Sequence, residues 1–119
     1  MTTGEIRELL ERHDHPGLEC DGAARVFSWL LRQRDVGHAV MEGRLEVEPD
    51  VVEPHYWIQL DDGQIVDYKA RMWLPGVPGV PHGVFRLSDY PKALYVGAEA
   101  RRFVVTRTMF NILTRSRAL

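Results

Sequence analysis

The chain has 119 residues, 45% of them apolar and 27% charged, and a net charge of −2. Those values fit one ordinary globular domain spanning 1–119, long enough to bury a single core. They give no reason to expect nucleic acid or an anionic membrane as a partner, and no apolar run is long enough to span a bilayer. The N-terminus lacks the basic-then-apolar layout of a signal peptide, and one cysteine forms no internal disulfide. A reducing, cytoplasmic setting is therefore expected, with Cys20 either a buried small hydrophobe or a reactive thiol.

In chain order, Thr2-Thr3-Gly4-Glu5 reads as a capping box ahead of a short amphipathic helix carrying Ile6, Leu9 and Leu10. His13-Asp14-His15-Pro16-Gly17 breaks that helix. A second helix is expected from Cys20 to Arg34, because Ala23, Ala24, Phe27, Leu30 and Leu31 recur at helical spacing. Cys20 stands at the head of this apolar stripe, so its thiol faces the core or a cleft. Val36 to Val47 reads as a strand with a bulge or bend at Gly43, and Glu48-Pro49-Asp50 as a turn. His55 to Leu60 and Gln64 to Tyr68 form the arms of a hairpin closed by Asp61-Asp62-Gly63. In the first arm His55, Trp57 and Gln59 share one face, and Tyr56, Ile58 and Leu60 the other. Pairing Leu60 with Ile65 would make Asp67 a near-diagonal neighbour of His55, with a small shift of register or a bulge bringing it closer.

Trp73 to Gly83 is rich in proline and glycine and is expected to be a long loop of the kind that walls a cleft. Leu94 to Val96 and Phe103 to Thr106 read as short strands, and Met109 to Leu113 as a terminal helical turn. Arg101, Arg102, Arg107, Arg115 and Arg117 alternate with apolar residues and read as a solvated face. Helices first and antiparallel strands after them predict an α+β fold, with N-terminal helices packed on an antiparallel sheet.

Cys20, His55 and Asp67 are the residues with chemistry to offer. A carboxylate on one strand can orient an imidazole on the next, and a thiol at a helix head completes a Cys-His-Asp triad. The helix N-terminus lends partial positive charge to a thiolate, and its free amides can hold an oxyanion. The plainer reading is that a lone cysteine on an apolar helix face is packing, that Glu19 and Asp21 beside it oppose a thiolate, and that a surface His-Asp contact is worth little. Cys20, His38, His55 and His82 could gather around zinc, but their spacings match no compact ligand pair, so no metal is expected. His13 and His15, flanking Asp14 just before the second helix, read as ligands or as loop residues. Neither a P-loop nor a GxGxxG cradle is present, and no cofactor is called for.

Cys20 at a helix start, His55-Tyr56-Trp57 on a strand and Ile65-Val66-Asp67 on the next resemble the core of the transglutaminase-like proteins of the papain-like cysteine protease group. The resemblance covers roughly residues 15–70. It implies that Cys20 is the acyl-accepting nucleophile, His55 its general base and acid, and Asp67 the orienter of the ring. The glycine- and tryptophan-containing segment of papain-type nucleophiles is absent: this chain reads Leu18-Glu19-Cys20-Asp21-Gly22. Asp14 and His15 stand where the papain-like proteases place a glutamine, leaving His15, Trp57 or a backbone amide as the second oxyanion donor. Trp57 would wall the site, and the loop carrying His82 would form the opposite rim. Thiol acyl transfer on a protein or peptide amide is the expected activity, as peptidase, deamidase or transglutaminase. A non-catalytic binding or inhibitor module on the same scaffold is the alternative.

Overall fold

A computed structural model of the chain describes residues 1–115; Arg117, grouped above with the solvated arginines, lies outside them. The order of elements is α1 (Thr3–Glu11), α2 (Cys20–Gln33), β1 (His38–Val47), β2 (Asp50–Leu60), β3 (Ile65–Asp67), α3 (Ala70–Trp73), β4 (Gly83–Phe85), a 3₁₀ turn (Leu87–Asp89), β5 (Ala93–Glu99) and α4 (Arg107–Arg115). The five strands form one antiparallel sheet in the order β4-β3-β2-β1-β5. The architecture is α+β, as the order of elements predicts. No helix among the described residues is long and apolar enough to cross a membrane.

The capping box forms as read: Glu5 N–H donates to Thr2 Oγ1 (3.1 Å) and Thr2 N–H to the Glu5 carboxylate (2.9 Å). It holds α1 so that Ile6, Leu9 and Leu10 are buried. Along α2 the stripe from Ala23 to Leu31 is buried with them, against Val40, Ile58, Leu60, Val66, Tyr68 and Val84 of the sheet. The opposite face carries Leu45, Val47 and Ala93, covered by Ala70, Leu74 and Val80 of α3 and the chain after it, and Trp57, Ile65 and Phe85, packed with Leu87, Tyr90 and Tyr95. Both faces are therefore apolar where covered, which removes the simple in-out alternation of a half-exposed sheet.

Several boundaries differ from the sequence reading. The second arm of the first hairpin begins at Asp50, well before His55, because β1 and β2 pair along nearly their whole length. The register shifts between Gly43 and Leu45: Gly43 faces His55 while Leu45 faces Val52, so the extra residue falls on β2. Pro54 lies in that extra stretch, where the missing N–H costs no ladder bond. Ile65 pairs with Gln59, one residue from the expected Leu60. Phe103 to Thr106 is turn and coil rather than strand. Phe103 packs its ring 5.1 Å from that of Tyr56 instead of extending the sheet. The proline- and glycine-rich stretch is shorter than expected, since its start is taken by α3 and its end pairs with β3 as β4.

Candidate active site

The observed register places Asp67 directly across from Trp57, and hence on the face that Trp57 shares with His55. One residue of slip would have sent the carboxylate to the other face. His55 Nε2 and Asp67 Oδ2 are 2.7 Å apart, and both side chains are essentially inaccessible to solvent. The other carboxylate oxygen, Oδ1, accepts the backbone N–H groups of Lys69 (3.0 Å) and Ala70 (3.2 Å). Asp67 thus ends β3, starts α3 and aims at the ring with one carboxylate.

A fourth donor reaches it from far across the sheet. The Tyr95 hydroxyl donates to Asp67 Oδ2 at 2.8 Å, although β2 and β1 lie between their strands. Three strand spacings make roughly 14 Å on a flat sheet, beyond a tyrosine's reach, so the sheet must curl toward this face. Gly43 and Gly97, paired side by side on β1 and β5, keep the path clear. A Cβ on Gly97 would come within 2.8 Å of the Trp57 ring. The indole of Trp57 lies almost parallel to the His55 ring (6.0 Å between centroids, 25°) and packs on Tyr95 at 4.9 Å. Burial and the charge of Asp67 push the Tyr95 hydroxyl well above its usual range, so it remains a donor.

Cys20 is the first residue of α2 and is partly buried. Together with Trp57, Asp67, Tyr68 and Lys69 it lines a crevice of about 10 Å³, space for no more than one water. The thiol stands beside the His55 ring. Burial alone would lower the pKa of that ring; the hydrogen bond to Asp67 and the neighbouring Cys20 outweigh it and raise the value to about 9. With Nε2 committed to Asp67, Nδ1 is buried and has no hydrogen-bond partner among the described residues. It is the ring nitrogen left to exchange a proton with Cys20. Glu19 and Asp21, on either side of the thiol in sequence, are both exposed, so their charges are solvated.

Lys69 joins the two halves of the site, and nothing in the sequence marks it. Its side chain is buried, with Nζ 2.6 Å from Asp14 Oδ1 and 2.9 Å from the carbonyl of His15. The loop that leads into Cys20 is thereby tied to the end of the strand that carries Asp67. The imidazole of His15 accepts the Gly17 N–H through Nδ1 (3.1 Å), and its Nε2 is buried with no partner among the described residues. His82 is exposed and packs edge-on against Tyr68 at 5.1 Å. It lines neither the crevice of Cys20 nor the hollows around it.

Among the described residues no three His, Cys, Asp or Glu side chains come together as a metal-binding cluster. His38 instead pairs with Ser28 Oγ at 2.7 Å. Tyr95, Lys69 and Asp14 are the site residues that sequence reasoning missed. Tyr95 was legible as a strand residue, but no local pattern gives a tyrosine a partner three strands away. No family model matches the chain, and no curated protein or solved structure matches it either.

Proposed function

We propose that this protein carries out thiol-dependent acyl transfer on a protein or peptide amide, through Cys20, His55 and Asp67, on a compact transglutaminase-like scaffold of the papain-like group. One observation carries the reading: a buried imidazole is held by a carboxylate on Nε2, stands against the thiol of a helix head and has its pKa raised to about 9. At neutral pH such a ring holds a proton, and the sulfur beside it is the natural source of it. The thiolate attacks the amide carbonyl, and the backbone N–H groups of the first turn of α2 face the oxyanion that forms. His55 gives its proton to the nitrogen as the C–N bond breaks, releasing the amine and leaving a thioester on Cys20. Neutral His55 then takes a proton from water or from an acceptor amine, which attacks the thioester and restores the thiol. Asp67 stays ionised throughout and holds the ring in place. A single thiol suits a reducing, cytoplasmic setting, where no disulfide competes for it.

The crevice beside Cys20 favours a second reading. It has no room for an acyl group as it stands, which suits a binding module on the same scaffold. The rate of iodoacetamide alkylation at pH 7 separates the two. Acyl-transfer chemistry predicts a Cys20 reaction well above that of free cysteine, falling by at least about tenfold in His55→Ala. A slow reaction indifferent to that substitution would sink the catalytic reading and favour the module.

A further inference from the structure

A cleft of about 440 Å³ opens beside Arg25 of α2. It shares Tyr56 with the crevice of Cys20, and Arg25 with a second hollow of about 330 Å³ that runs past Glu19 and Asp21. Glu19 and Asp21, the sequence neighbours of Cys20, therefore border the hollow that Arg25 also lines. Arg25, Arg101 and Arg102 all line the cleft, against the two carboxylates of Glu42 and Glu99. None of these arginines pairs with a carboxylate among the described residues. Burial and the nearby Glu42 carboxylate push the Tyr56 hydroxyl above its usual range, so it stays neutral beside the arginines.

Arg25 is the informative side chain. Its guanidinium carbon lies 4.1 Å from the centre of the Phe103 ring, a contact that holds the group at the wall of the cleft. Its Nε is buried with no acceptor among the described residues. A buried donor without a partner is costly, and a guanidinium can offer two parallel N–H groups to a planar anion. We infer that this cleft is a substrate subsite, holding on Arg25 a carboxylate that lies close to the amide presented to Cys20. The inference rests on the acyl-transfer reading for its substrate and deepens it: the preferred amide carries an acidic side chain or a free terminal carboxylate nearby. Arg101 and Arg102, both exposed, add positive charge at the mouth.

The test uses the whole chain and four N-bromoacetyl probes that alkylate its single cysteine, with the label measured by intact mass. Glutamate α-amide carries a side-chain carboxylate, glutamine free acid a terminal one, glutamine α-amide no charge and lysine α-amide a cation. At low salt at least one carboxylate probe is expected to label about fivefold or more faster than the neutral probe, and the lysine probe slowest. The faster carboxylate probe identifies which source the cleft takes. The anionic-to-neutral ratio should fall toward one in Arg25→Gln, and in wild type at about 0.5 M salt. The Arg101→Ser/Arg102→Ser double variant, altered only at exposed positions, should lower the ratio as well and keeps the test open if Arg25→Gln does not fold. Equal rates for all four probes, or a lysine probe that labels fastest, would overturn the inference. Because the ratio is scored against the neutral probe, it stands or falls separately from the His55→Ala result. A charge preference in a protein whose thiol ignores His55 would leave the cleft as an anion site and remove the catalysis.

Discussion

Two histidines on opposite faces of the same sheet show what gives the candidate site its character. His38 is held through both ring nitrogens and is partly buried; His55 is held through Nε2 and is fully buried. His38 donates from Nδ1 to the Val36 carbonyl (2.8 Å) and accepts at Nε2 from the Ser28 hydroxyl (2.7 Å). Its partners are neutral, burial dominates, and its pKa is lowered. His55 is buried more deeply still, yet the Asp67 carboxylate and the Cys20 sulfur reverse the sign and lift it to about 9. Burial therefore makes neither ring special. The charge of the partner decides which one is an acid at neutral pH.

The largest expected effect comes from removing that charge. Asp67→Ala should cost about 3–5 kcal/mol in urea unfolding, since it strands a buried imidazole and the Tyr95 hydroxyl together. Asp67→Asn retains the shape and should bring the His55 titration, followed by NMR, well below about 9. A His55 that still titrated near 9 in that variant would show that the carboxylate is not the cause.

The two rings also predict opposite slopes of stability with pH. An unfolded histidine titrates near 6.5, so the contribution of His55 is complete below that value and is lost as pH rises through about 9. The rise from 6.5 to about 9 corresponds to about 3 kcal/mol. For His38, with its pKa lowered, the contribution is present above 6.5 and is lost as pH falls through the folded value. His55→Gln should flatten the alkaline limb of the stability curve and His38→Gln the acid limb. The reverse assignment in chemical denaturation across pH 5–10 would break the comparison.

Smaller effects sharpen it further. Tyr95→Phe deletes one charge-assisted hydrogen bond to Asp67 and preserves the packing on Trp57, so about 1–2 kcal/mol and a few-fold slower Cys20 alkylation are expected. Ser28→Ala removes the neutral partner of His38 at a cost of about 1 kcal/mol. Its alkylation rate should match wild type, because no hydrogen bond among the described residues links that pair to Cys20.

The sequence by itself determined the elements and the chemistry they carry. The Thr2-Glu5 box, the stripe from Ala23 to Leu31 and the Asp62-Gly63 turn are local signals, each decided by residues within one or two turns of chain. They were enough to place Cys20 at a helix head and to put His55 and Asp67 on adjacent strands. They were not enough to find the right register, which differs by one residue from the simplest hairpin, or to see that β2 begins at Asp50. Phe103 to Thr106 has strand-like composition, yet it leaves the sheet because its phenylalanine has a better partner in Tyr56 and Arg25. Only the tertiary structure decided how the site is closed. Tyr95 reaches Asp67 because the sheet curls over Gly43 and Gly97, and Lys69 is buried because Asp14 and the His15 carbonyl receive its charge. Both contacts join residues 28 or more positions apart, where no periodicity in the chain carries information and only packing brings the groups together.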